Sequence, residues 1–440
     1  MRDRTLNAMQ VGAMLISTSC GVGFFVGTGE QAMVEGMAGC LYAVATALGL
    51  TLLAACAPTF WRTGRSIWSQ FNGCYGPSVG RNAAALSLVW MTGVLAAQIR
   101  GGSAVLALTG LSRTSAEAVI IVLLLALSIV RLSWLSVGFA CCLIACNVLL
   151  LLSLIEPEKI DIWLMAPATF AKAFQQGASA HTGFVLVSVA VMVVCGADYQ
   201  QFAMAARTPS SARAGSLVAA ALVLAMGFLL VSAVVAARQH GDLQRANDPI
   251  QVVPVLLVHS LPGGATTTAQ AFVITLLVGA ALGSASSILR AMSDAVAMFG
   301  RPSVMRPFWS RALPALLGIV VASRQQSLVD MMVGLNLIYI AAVAPLLALS
   351  LLHVSISGRA ANTAMAIACA ISLADYLIRW ETNTALPEVP PLLASIAAAL
   401  AVVGLYRAGD RLQETIGTSA RSRAQPSTAD SYCSRDAEGG

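Results

Sequence analysis

"STSCGVGFFVGTGE" (17–30) interrupts an apolar stretch that begins near Met9. Gly21, Gly23, Gly27 and Gly29 stand where a smooth membrane helix would carry leucines, Ser17, Thr18, Ser19 and Thr28 lie among them, and the stretch closes on Glu30. Glycine weakens a helix, and hydroxyl side chains compete for backbone groups. In hydrocarbon, unpaired backbone is too costly, so a broken helix is tolerated only where it lines a cavity. There the freed carbonyls can coordinate a cation, and the N-terminus of the following half-helix can hold an anion. The competing reading is a face of small residues that lets another helix pack closely.

Outward from this stretch the chain reads as a membrane protein. Of its 440 residues 58% are hydrophobic and 10% charged, against about a quarter charged in soluble domains. Apolar runs of about 18 residues or more suffice to cross a bilayer core of about 30 Å. The alternating segments of about ten residues that mark a barrel are not seen. We expect an all-α polytopic protein of about twelve spans, at 8–30, 37–58, 84–110, 115–131, 134–154, 183–206, 213–237, 267–298, 311–323, 330–352, 361–379 and 389–406. Residues 1–154 hold a first group of five spans, 155–182 a loop, 183–352 a second group of five and 353–406 two further helices. The polar tail 407–440 is expected to be disordered.

The basic residues orient the spans. With the N-terminus inside, 17 arginines fall on the inner side and 7 basic residues, including Lys159 and Lys172, on the outer. This bias predicts N-in, C-in insertion in a cell inner (plasma) membrane. The opening "MRDRTLNAMQ" lacks the pattern of a cleavable signal, so the first span is expected to direct its own insertion. The loops 156–182 and 238–266 each carry a short amphipathic stretch, fit for a lid or an interfacial helix. Ten cysteines form no CxxC pair and read as small apolar residues, and the +6 charge reflects orientation rather than nucleic-acid binding.

A second interruption lies in the sixth span, "TGFVLVSVAVMVVCGADYQQFAMAAR". Gly196, Asp198, Tyr199, Gln200 and Gln201 follow an unbroken apolar run. A carboxylate at such depth is expensive and marks a functional site unless it lies near enough to the surface to stay hydrated. Breaks at matching positions in two halves are the sequence signature of an inverted-repeat transporter, with the substrate held between them. Ser19, Gly21, Gly23, Gly196, Asp198 and Gln201 are therefore candidate substrate-binding positions. In the eighth span Ala280, Ser284, Ser287, Ala291 and Asp294 recur at helical spacing and share a face.

The segments "FFVGTGEQAMVEGMAGCLYAVATALGLTLLA", "AAQIRGGSAVLALTGLS", "WLSVGFACCLIACNVLLLLSL", "YQQFAMAARTPSSARAG", "NDPIQVVPVLLVHSLPGG" and "SASSILRAMSDAVAMF" occur in the order and spacing of the solute:sodium symporter family. From Gln10 to Ser350 the chain resembles that family, which includes sodium/proline and sodium/sugar cotransporters. The resemblance implies a LeuT-type fold of two inverted five-helix repeats. It also implies a sodium site built from main-chain oxygens of Ser17, Cys20 and Ala280 and from side chains at Gly283 and Ser284. The chain departs from the pattern at Gly283, which has no hydroxyl. Ser19 stands where some members carry an acid or amide, and Gln201-Phe202 replaces a Gln-Arg pair. It looks like a divergent member.

The implied activity is secondary active transport of a small polar organic solute, such as an amino acid or carboxylate, coupled to sodium and without an organic cofactor. The alternatives are a proton-coupled or sodium-independent permease using Asp198 or Glu30, and a sensor that has lost transport. An ATP-driven pump is excluded, because neither lysine stands in a GxxxxGK[ST] loop. HExxH and GxSxG are absent and the four histidines are scattered, which argues against an intramembrane enzyme. Arg100, in "AAQIRGGSAVLAL", lies well over ten residues after the inner Arg81 and is expected to reach the membrane interior or its outer half. It reads as a clamp for a substrate carboxylate or phosphate, as a structural partner of Glu30, Glu35 or Asp198, or as a side chain that snorkels to the outer surface.

Overall fold

The structure is a computed structural model that describes residues 4–127, 132–177, 180–243, 248–261, 266–299, 309–323, 328–382 and 389–423. The first part of the chain folds into α1 (Ala8–Ser19), α2 (Val22–Glu35), α3 (Leu41–Thr63), α4 (Ile67–Tyr75), α5 (Pro77–Ala107), α6 (Arg113–Leu127) and α7 (Leu132–Leu152). Two short helices follow, α8 (Pro157–Leu164) and α9 (Ala166–Gln176). The second part holds α10 (Ala180–Cys195), α11 (Ala197–Ala205), α12 (Pro209–Gln239), α13 (Val252–His259), α14 (Thr267–Val296), α15 (Trp309–Ala322) and α16 (Leu328–Leu351). Helices α17 (Gly358–Thr382) and α18 (Val389–Arg423) close it.

Each span read from the sequence coincides with a helix or an interrupted pair. Among the described residues, seven helical stretches are long and apolar enough to cross a membrane, and nine if each of two bent pairs counts as one span. Thr182–Cys195 and Ala197–Ala205 meet at 45°, while Gly138–Leu152 and Pro157–Leu164 meet at 119°. The first pair is a broken span. The second turns α8 away from the axis of α7, so the stretch read as a lid or interfacial helix is indeed helical.

Local chemistry sets the helix starts. Asn7 accepts from Gln10 N at 2.9 Å while Gln10 Oε1 accepts from Asn7 N at 3.0 Å, a reciprocal cap that begins α1. Pro77 and Pro209 open α5 and α12, where a missing N–H costs nothing. Helix α18 continues to Arg423, past the point where the sequence predicts disorder. Its segment 407–423 is polar but carries four arginines and two alanines, which favour helix, and has no proline.

The interior is built from α3 packed on α12 and α10, α5 on α14 and α16, and α1 on α12. The interrupted helices α1/α2 and α10/α11 lie within this bundle. At one end Leu6 and Ala206 form a parallel bridge, with Leu6 N donating to Ala205 O (3.2 Å) and Arg207 N to Leu6 O (2.7 Å). Trp61 Nε1 donates to Ala206 O at 2.8 Å, and the Arg4 guanidinium sits 4.0 Å from the Trp61 ring centre. The segment before α1 and the residue after α11 are thereby tied to one corner of α3.

Candidate functional site at two broken helices

The first break falls at Cys20 and Gly21. Cys20 N still donates to Ile16 O at 2.7 Å, and the extended Gly21 then starts α2, its carbonyl accepting from Phe24 N (2.9 Å) and Phe25 N (3.1 Å). The last carbonyls of α1 and the first amides of α2 therefore need partners outside their own helices. Ser284 Oγ, from α14, donates to Thr18 O at 3.3 Å. Gln98 Oε1, from α5, accepts from Gly23 N at 3.2 Å. Ser284 and Gln98 are both buried. A Cβ at Gly21 would fall 2.5 Å from Ser284 Cβ and 2.6 Å from Gln98 Oε1, so only glycine permits this approach.

The second break falls at Gly196. Its N–H closes α10 on Met192 O (2.7 Å), and its carbonyl opens α11 by accepting from Gln200 N (3.0 Å). Asp198 lies in the first turn of α11, where the helix dipole favours a carboxylate. It is 2% exposed, and its Oδ1 has no hydrogen-bond partner. A Cβ at Gly196 would lie 2.6 Å from that oxygen. The backbone amides of Tyr199 and of Asp198 itself act on the carboxylate, and Tyr42, Tyr199 and Tyr339 lie within its electrostatic range. Tyr339, from α16, donates its hydroxyl to Cys195 O at 2.9 Å and packs 5.8 Å from the Trp90 ring. Gln200 Nε2 donates to Val194 O at 2.8 Å, leaving Gln200 Oε1 buried and unpartnered. Tyr199 interacts with the Ser19 side chain and so links the two breaks.

The structure thus gathers Ser19, Gly21, Gly23, Gly196 and Asp198 around the two interruptions, together with Ser284. Gln201, on α11, is half-buried. Ala280 lies buried one turn from Ser284 on α14. Ser17 and Cys20 belong to the last turn of α1 and the break itself. Gly283 points elsewhere: a Cβ there would lie 2.4 Å from Cγ of Phe139 on α7, so an aromatic ring fills the space a side chain would need. Arg100 does not join this group. Its electrostatic neighbours are Arg113, Glu30, Asp248 and Glu117, a charged cluster at the far end of α5 from Pro77.

Sequence reading missed Gln98, Tyr339 and Tyr42. Gln98 stands two residues from Arg100 and is an amide inside an apolar run, which is the signal that could have found it. Tyr42 and Tyr339 look like ordinary aromatic core residues, and only the tertiary fold brings them near Asp198.

No family model matches the chain, and no curated protein does. Solved structures do. A Na+-coupled sialic acid symporter in a substrate-bound outward-open state aligns with TM-score 0.68 at 14% identity, over 91% of this chain and 90% of that one. Mhp1, a nucleobase-cation-symport-1 family transporter, aligns with TM-score 0.58 at 13% identity, over 92% and 93%. A manganese transporter of Eremococcus coleocola aligns with TM-score 0.56 at 13% identity, over 91% and 93%. At such identities the likeness concerns the fold. With its paired broken helices and apolar spans, the chain is an all-α polytopic membrane protein of the LeuT-type fold.

Proposed function

We propose that the protein is a secondary active transporter that moves a small polar organic solute by alternating access, with the solute held between the two breaks and its passage coupled to a cation. The observation that carries this reading is the buried Asp198, its Oδ1 unpartnered beside the α10/α11 break. A carboxylate held in such a place calls for a positive partner or a proton. The sodium-coupled symporter among the similar structures supports sodium as that cation.

Two observations favour a second reading, coupling to protons. The Thr18 carbonyl already accepts from Ser284, and Phe139 takes the space at Gly283. Both weaken the case for a cation bound by Ser17, Cys20, Ala280, Gly283 and Ser284. Asp198 would then carry the proton. Arg100, in its charged cluster, is better suited to the entry path than to the central site.

We further propose that the chain lies in the cell inner membrane with both termini cytoplasmic and acts as a carrier, not an enzyme. Purified protein reconstituted in vesicles tests the reading. Counterflow of a solute selected by thermal stabilisation should follow an imposed sodium gradient or an imposed pH gradient. Counterflow that responds to neither gradient would remove cation coupling, and stabilisation by a solute without any counterflow would point to a sensor. A cysteine placed at Lys159 should react with an impermeant reagent from outside, and one at Arg65 should not.

A further inference from the structure

Outside the paired breaks, α1, α7 and α12 wall a recess of about 510 Å³. Its lining is apolar save for Asn147 and the Trp163 indole. Asn147 turns its Nδ2 onto Leu143 O at 2.8 Å, within its own helix. Along α12 the cavity runs from Val218 to Leu229, a rise of about 16 Å, or about half of a bilayer's hydrocarbon thickness. Its rim residues Met9, Ile144, Val148 and Leu222 are 67%, 64%, 49% and 44% exposed. They are continuous with the apolar surface these spans present to lipid, so the groove opens sideways into the bilayer. Trp163, on α8, stands at one end, as indoles do at the membrane interface.

We propose that this groove is a lipid site occupied by one acyl chain of a bilayer phospholipid. The groove follows α12 from Val218 to Leu229 and has no charged group in its lining, and its exposed rim lies on apolar spans, so an extended hydrocarbon chain is the ligand its chemistry recognises. One wall is formed by Met9, Ala13 and Ile16, the face of α1 that leads up to the break at Cys20. A seated chain therefore braces the first half of α1 against α7 and α12, and its presence stiffens the half-helix that alternating access would have to move.

Protein purified in mild detergent and mixed with phosphatidylethanolamine and phosphatidylglycerol tests the site by native mass spectrometry. The wild type should retain a phospholipid through collisional activation. Ala225→Trp, which fills the groove from α12, should lower that retention about tenfold, and the rise in melting temperature on adding lipid should shrink with it. If Ala225→Trp does not fold, Val148→Trp, at an exposed position on α7, reads the same groove. Equal lipid retention in a folded groove-filled variant overturns the proposal. So does retention of a hydrophobic molecule that is not a phospholipid.

Discussion

The two broken helices meet the same physical problem in different ways. At the α1/α2 break neutral side chains complete the backbone: Ser284 caps the Thr18 carbonyl and Gln98 caps the Gly23 amide. At the α10/α11 break Tyr339 caps the Cys195 carbonyl, but two buried oxygens, Asp198 Oδ1 and Gln200 Oε1, remain unpartnered. Unpaired buried oxygens cost about 1–3 kcal/mol each, more when charged. A fold keeps such a cost where a ligand removes it. On the function proposed above, the first break therefore contributes mainly a completed backbone to the solute site, and the second contributes the unpartnered oxygens.

Substitutions at Asp198 should show the contrast most strongly. Asp198→Asn keeps the shape and removes the charge, and a charge-assisted contact is worth about 1.5–3 kcal/mol. Counterflow should fall roughly 10–100-fold while the melting temperature stays at or above that of the wild type. A fall in melting temperature with unchanged transport would reverse the roles assigned to the two breaks.

Gly21→Ala should act through stability instead. The added Cβ meets Ser284 and Gln98 at 2.5 and 2.6 Å, and overpacking of this kind costs about 1–3 kcal/mol. A drop in melting temperature measured in detergent is the expected readout. Gln98→Leu strands the Gly23 amide for about 1–3 kcal/mol and should destabilise to a similar or smaller extent. Retained stability in both variants would show that the first break does not depend on these caps.

The smallest effect is expected at Ser284. Ser284→Ala removes one 3.3 Å hydrogen bond to Thr18 O, worth about 0.5–1.5 kcal/mol. If sodium binds here, the sodium concentration for half-maximal counterflow should rise about 3–10-fold. If protons drive transport, that variant should change stability slightly and leave the pH dependence intact. Gly283→Ser, which would add a hydroxyl, should lower stability, because its Cβ meets the Phe139 ring.

The positions of the helices, the two interruptions and the helix-breaking glycine at Gly21 were legible in the sequence, because hydropathy and helix-breaking residues act locally. The count of twelve spans was not matched, since seven helical stretches among the described residues, or nine with each bent pair as one, are long and apolar enough to cross a membrane. Asp198 was likewise legible, as a charge inside an apolar run. The partners of the breaks were not. Gln98, Ser284 and Tyr339 reach Gly23, Thr18 and Cys195 across 75, 266 and 144 residues of chain, and no periodicity encodes such pairings. Arg100 attracted attention as a charge, yet helix geometry places it about 200° around α5 from Gln98, so the two serve different surroundings. Phe139 reads as one more apolar residue until the fold lays its ring over Gly283.

The most direct test of the open second break is the melting temperature of purified wild type and Asp198→Asn, measured with sodium chloride against choline chloride at equal ionic strength and at several pH values. A buried carboxylate with an unpartnered oxygen is relieved by taking up either a sodium ion or a proton. The wild type should therefore melt higher as sodium rises or as pH falls, and Asp198→Asn should lose that response while remaining folded. An Asp198→Asn variant that responds to sodium and pH as the wild type does would contradict the assignment of the cation-sensing role to the second break.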